Sequence, residues 1–144
     1  MSTTSESKAD GAPLVAPYGL DHVNLHVRDV EESLRFYEGV LGLPKATVMS
    51  RDGAGKPSFV ELRVGEQLVY LMRRADYVPP TDRHARGLNH MCLLVERTDP
   101  ERLMEGLRAK GIPITGTRGQ PDGQTFSVYV EDPDGLGVEL EQRR

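Results

Sequence analysis

Two histidines recur at matching points of one chain. Gly19-Leu20-Asp21-His22-Val23-Asn24-Leu25-His26-Val27 returns 68 residues later as Gly87-Leu88-Asn89-His90-Met91-Cys92-Leu93-Leu94-Val95. A carboxylate joins them: Val69-Tyr70-Leu71 returns at an offset of 69 as Val138-Glu139-Leu140. A pseudo-twofold relation between the copies is expected to bring His22 towards His90 and Tyr70 towards Glu139. Imidazole nitrogen and carboxylate oxygen are both ligands for first-row divalent ions, and two imidazoles with one carboxylate leave positions open for water and substrate. The chemistry on offer is Lewis-acid polarisation of a substrate, or binding of dioxygen.

Those donors need strands to hold them. Residues 20–27 alternate, with Val23, Leu25 and Val27 on one face and His22, Asn24 and His26 on the other. A helix follows, with Asp29 as N-cap, Glu32 three residues on, a stripe of Leu34, Tyr37 and Leu41, and a stop at Gly42 and Pro44. Residues 58–64 and 67–73 read as strands joined at Gly65-Glu66. A weaker strand is expected near 46–50.

The second copy repeats the plan. Residues 88–95 form the strand; Asp99, Pro100, Leu103, Met104, Leu107 and Gly111 mark the helix. Strands follow at 125–131 and 137–142, with a weaker one near 113–117. The fold class is therefore α+β: two tandem β-α-β-β-β modules whose curved mixed sheets enclose a polar trough. Each copy is too small to hold a core alone, so the two pack together or with another chain.

The expected organisation is a disordered tail over residues 1–17, then a single domain over 18–144. Module 1 covers about 18–74, a linker 75–86, and module 2 about 87–142. The net charge of −4 and the lack of a long basic run argue against nucleic acid as partner. No apolar stretch is long enough to span a membrane. With one cysteine, Cys92, and no signal-peptide pattern, a cytoplasmic location is expected.

The stretch Leu20 to Asp29, with Phe36-Tyr37 and Leu41-Gly42-Leu43, resembles the first module of the vicinal oxygen chelate superfamily. Gly87-Leu88-Asn89-His90 and Tyr129-Val130-Glu131-Asp132-Pro133-Asp134-Gly135-Leu136-Gly137-Val138-Glu139-Leu140 resemble its second. That group holds glyoxalase I, fosfomycin-resistance enzymes, methylmalonyl-CoA epimerase, extradiol dioxygenases and bleomycin-binding proteins. The resemblance implies metal ligands at His22, His90 and Glu139, a cofactor such as Fe2+, Mn2+, Ni2+ or Zn2+, and a homodimer acting on a small molecule held through vicinal oxygens. A dioxygenase, a lyase, a thiol transferase and a sequestering protein all stay open.

Departures from the superfamily's patterns weigh on the reaction. Glyoxalase I-like proteins place a Glu or Gln ligand where this chain has Tyr70, and the acid/base histidine of extradiol dioxygenases has no counterpart near Gln120 to Asp122. Tyr70 and His26 are the catalytic candidates. Asn24, Arg63 and Tyr129 are candidates for substrate binding, and Glu61 or Glu141 for a carboxylate base. Cys92 is expected to act as a small buried filler rather than a thiolate.

Overall fold

The computed structural model describes residues 11–143. Most of the expected tail, residues 1–10, lies outside the described residues, and residues 11–21 contain no strand or helix. The first module runs β1 (His22–Val27), α1 (Val30–Leu34, continued by a π turn, Arg35–Val40), β2 (Thr47–Arg51), β3 (Pro57–Val64) and β4 (Gln67–Arg73). A short 3-10 turn at Arg83–Ala85 lies in the linker. The second module runs β5 (His90–Leu94), α2 (Pro100–Ala109), β6 (Gly116–Gly119), β7 (Thr125–Glu131) and β8 (Gly137–Arg143).

Each module builds its own four-stranded mixed sheet, in the orders β1-β4-β3-β2 and β5-β8-β7-β6. β1 lies parallel to β4 and β5 parallel to β8, while the other pairings are antiparallel. β1 and β5 are therefore outer strands, and among the described residues no ladder joins the two sheets.

The core follows the alternation of the strands. Val27, Val69, Leu71, Leu93, Phe126, Val128, Val130, Val138 and Leu140 are all buried, and Val23, Leu25, Met91 and Val95 pack against them. Their neighbours in sequence necessarily face the other way. Tyr70 is among these: its ring stacks on His22 with centroids 4.4 Å apart.

The first helix departs from a regular stripe. Asp29 caps it, accepting from the amides of Glu31 and Glu32, while Glu32 takes the guanidinium of Arg28. The helix then widens, and the Leu41 amide donates to the carbonyl of Phe36 (3.0 Å). A π turn rotates the following residues relative to an α-helix. It lets the adjacent Phe36 and Tyr37 both enter the core, in edge contact at 5.0 Å. The β6 strand begins later than expected, because Ile112 and Ile114 pack against the core before pairing starts at Thr115.

The modules are fastened at the turn between β7 and β8. The Tyr37 hydroxyl donates to Asp132 Oδ2 (2.7 Å). Arg28 donates to Asp134 Oδ1 (2.8 Å) and to the Pro133 carbonyl (2.7 Å), and Arg86 to the Asp134 carbonyl. Burial, then the charge of Asp132, pushes the Tyr37 phenol well above its usual range, so it stays a donor. No helix among the described residues is long and apolar enough to cross a membrane.

Candidate metal centre

The second module presents two donors face to face. His90 opens β5, and Glu139 lies on β8 opposite Cys92 in the parallel register. His90 Nε2 and Glu139 Oε1 are 3.1 Å apart. The other ring nitrogen, Nδ1, is 2.8 Å from Asn89 Oδ1. An amide oxygen only accepts, so Nδ1 carries the hydrogen and Nε2 of the neutral ring offers a lone pair. Two acceptors then confront each other, and a proton or a metal cation must lie between them. Ligand atoms about 2.1 Å from a common ion sit about 3.0–3.4 Å from each other, so the pair fits a divalent metal.

The first module repeats half of this device. His22 Nδ1 is 2.7 Å from Asp21 Oδ2, a group that only accepts when ionised. Nε2 of His22 is again left with its lone pair, on a side chain 41% exposed. An acceptor immediately before each histidine is a sequence signal that the repeat alone did not disclose. Such outer partners fix the tautomer and orientation of metal-binding imidazoles.

The backbone accommodates this closeness. A Cβ on Gly137 would come within 3.0 Å of His90 Cβ and 3.1 Å of the Asn89 carbonyl. Only glycine lets β8 pass this near to the histidine.

Glu139 is only 5% exposed, and Arg118, which sequence reasoning missed, holds it. Arg118 Nη2 donates to Glu139 Oε2 (2.7 Å) and Glu141 Oε1 (3.0 Å). Ser127 Oγ donates to the same Oε2 (2.7 Å). Burial raises the pKa of Glu139, but the hydrogen bonds from Ser127, Arg118 and Tyr129 outweigh it, and the carboxyl sits below its usual range.

Within one chain the three expected ligands do not assemble. Among the described residues, the only group of three or more His, Cys, Asp or Glu donors within 4.8 Å of one another is Cys92, Glu139 and Glu141. That group is an unlike candidate: Arg118 bridges both carboxylates. Burial, then Glu139 and Glu141, pushes the exposed Cys92 thiol up to about 11. The expected approach of Tyr70 to Glu139 is also replaced. Tyr70 faces His22, Phe59 and Glu61 of its own sheet. The physical reason is that each sheet is closed within its own module, so the histidines stand on two separate outer strands.

The remaining candidates are dispersed. Desolvation, then the hydrogen bond and charge of Glu61, raises the Tyr70 phenol above 10, which keeps it a proton donor. Glu61 and Tyr70 are direct partners across β3 and β4. Tyr129 places its ring 5.8 Å from His90. Asn24 and His26 line a crevice of about 290 Å³ with Tyr77, Arg86 and Leu88, and the His26 ring is 6.0 Å from that of Tyr77. Arg63 lies elsewhere, along a groove with Val64, Leu93 and Leu140.

Residues 19–140 match the model of the Glyoxalase/Bleomycin resistance protein/Dioxygenase superfamily. The chain belongs to that superfamily. It is 30% identical over 127 residues to the virulence protein STM3117 of Salmonella typhimurium, covering 85% of this chain and 83% of that protein. It is 27% identical over 121 residues to the lactoylglutathione lyase of Haemophilus influenzae, covering 83% of this chain and 88% of the enzyme. A glyoxalase/dioxygenase from Nostoc punctiforme superposes with a TM-score of 0.73 at 20% identity, over 92% of this chain and 98% of that one, a likeness of fold. The superfamily member therefore has two β-α-β-β-β modules and enzymes among its relatives.

Proposed function

We propose that this superfamily member is a divalent-metal-dependent enzyme whose site is shared between two subunits. His90 and Glu139 come from one chain and His22 from the other. The observation that carries this reading is the 3.1 Å contact between His90 Nε2 and Glu139 Oε1, two acceptors that a cation reconciles. Sharing is supported by the open outer edges of β1 and β5 and by exposed Leu20 and Leu94 near those edges. A twofold homodimer that sets β1 of each chain beside β5 of its partner would make two equivalent sites.

When bound, the ion would act as a Lewis acid towards neighbouring oxygens of a small substrate. Asp21 and Asn89 hold the two imidazoles with Nε2 free. Tyr70, protonated and adjoining His22 and Glu61, is placed to give a proton to a substrate oxygen, with Glu61 as the neighbouring carboxylate to accept one. This pair favours proton transfer, of the lyase or isomerase kind, over ring cleavage by dioxygen. Glu141, the other candidate base, is engaged by Arg118 and Arg143.

Elemental analysis of the freshly purified protein tests the reading. One divalent ion per chain is expected, lost in His22→Ala, His90→Ala and Glu139→Ala. Full metal content in all three variants would remove the assignment. Deuterium uptake from solvent into α-hydroxycarbonyl compounds, including lactoylglutathione, separates proton transfer from oxygen chemistry.

A further inference from the structure

Glu139 has two oxygens with different neighbours. Oε1 faces His90 Nε2. Oε2 receives Ser127 Oγ and Arg118 Nη2, each at 2.7 Å. Arg118 stands on β6, in register with Ser127 of β7. Its side chain crosses β7 to reach β8, and on the way its Nε meets the Tyr129 hydroxyl at 3.3 Å. The bonds from Ser127 and Arg118 therefore converge on the same oxygen.

We propose that Arg118 is a positioning residue that restricts Glu139 to ligation through Oε1 alone. The inference rests on the metal reading above. A carboxylate with both oxygens free can bind a cation through both and so take an additional coordination position. A substrate held through two oxygens needs two positions for itself. Engaging Oε2 with Arg118 and Ser127 keeps the extra position open. Arg118 does so at a cost, because its positive charge opposes a cation close by. An arginine kept only for structure should loosen the metal when removed. One kept for positioning should, on removal, leave binding unchanged or tighter, with fewer open positions.

Mn2+ bound to the full chain tests this, with water-proton relaxation counting the water molecules that exchange on the ion. Arg118→Ala should bind Mn2+ at least as tightly as the parent and show one exchanging water fewer. Arg118→Lys, which keeps a charged donor for Oε2, should restore the parent count. Circular dichroism establishes that both variants are folded. A parent protein that takes up no Mn2+ would remove the metal reading itself. A parent that binds Mn2+, with an unchanged water count or a weakened affinity in Arg118→Ala, would overturn the positioning role alone.

Discussion

His90 and Glu139 meet with Nε2 and Oε1 3.1 Å apart, while Asn89 takes the opposite nitrogen of the same ring. Asp21 does the same for His22. Each histidine is thus oriented by the residue before it in sequence.

Removing these acceptors should weaken metal binding without unfolding the chain. Asp21→Leu and Asn89→Leu lose the partner of Nδ1, and each should reduce affinity by about 10–100-fold. Chelator competition measures it. Unaltered affinity in both variants would show that the tautomer is fixed by something else.

Tyr70→Phe should leave metal content unchanged, because the phenol belongs with His22 and Glu61 rather than with Glu139. Turnover should fall by about 10²–10⁴-fold if the hydroxyl transfers a proton. A parallel loss of metal and turnover would instead make Tyr70 a support for His22.

Gly137→Ala forces a Cβ to within 3.0 Å of His90 Cβ. The β5–β8 pairing or the histidine must shift, and metal affinity should drop even though alanine is a small residue. Calorimetric titration with the metal reads the change; an affinity equal to the parent's would mean that the strands can part without moving the ligand.

The acid limb of stability has a defined sign. Glu139 and Glu141 both sit below their ordinary value of 4.5. Burial opposes the shift at Glu139 and hydrogen bonding outweighs it, whereas at Glu141 the bond from Arg143 is the leading cause. A carboxyl with a lowered folded pKa contributes stability that is present above its unfolded value and lost as pH falls through the folded one. The metal-free protein should therefore lose Tm below about pH 4.5. Arg118→Met, which raises both carboxyls towards their unfolded values, should lower Tm at pH 7 and make that acid loss smaller. Thermal melts between pH 3 and 7 check it.

Much of the fold was legible because strand alternation is a local property. Val69 and Leu71 inward and Tyr70 outward follow from period two once one face is buried. The π turn was not legible, since the neighbouring Phe36 and Tyr37 cannot both lie on one α-helical stripe. The repeat singles out His22, His90 and Glu139 as candidate ligands, but it does not say how they would be distributed between chains. Internal symmetry relates His22 to His90 without saying which copy of module 1 stands against which copy of module 2. Arg118 escaped because its contact with Glu139 crosses an intervening strand, and no spacing in sequence encodes that reach.

The sharing of the site between chains is tested most directly by mixing two dead variants. His22→Ala and His90→Ala, each alone, should retain almost no metal. Unfolded together and refolded, they form mixed dimers in which one site pairs an intact His22 from one chain with an intact His90 and Glu139 from the other. With random pairing, metal content should recover to about a quarter of the parent's, by the symmetry of a twofold dimer. No recovery, in a mixture shown to contain mixed dimers, would place all three ligands within one chain and contradict the shared site.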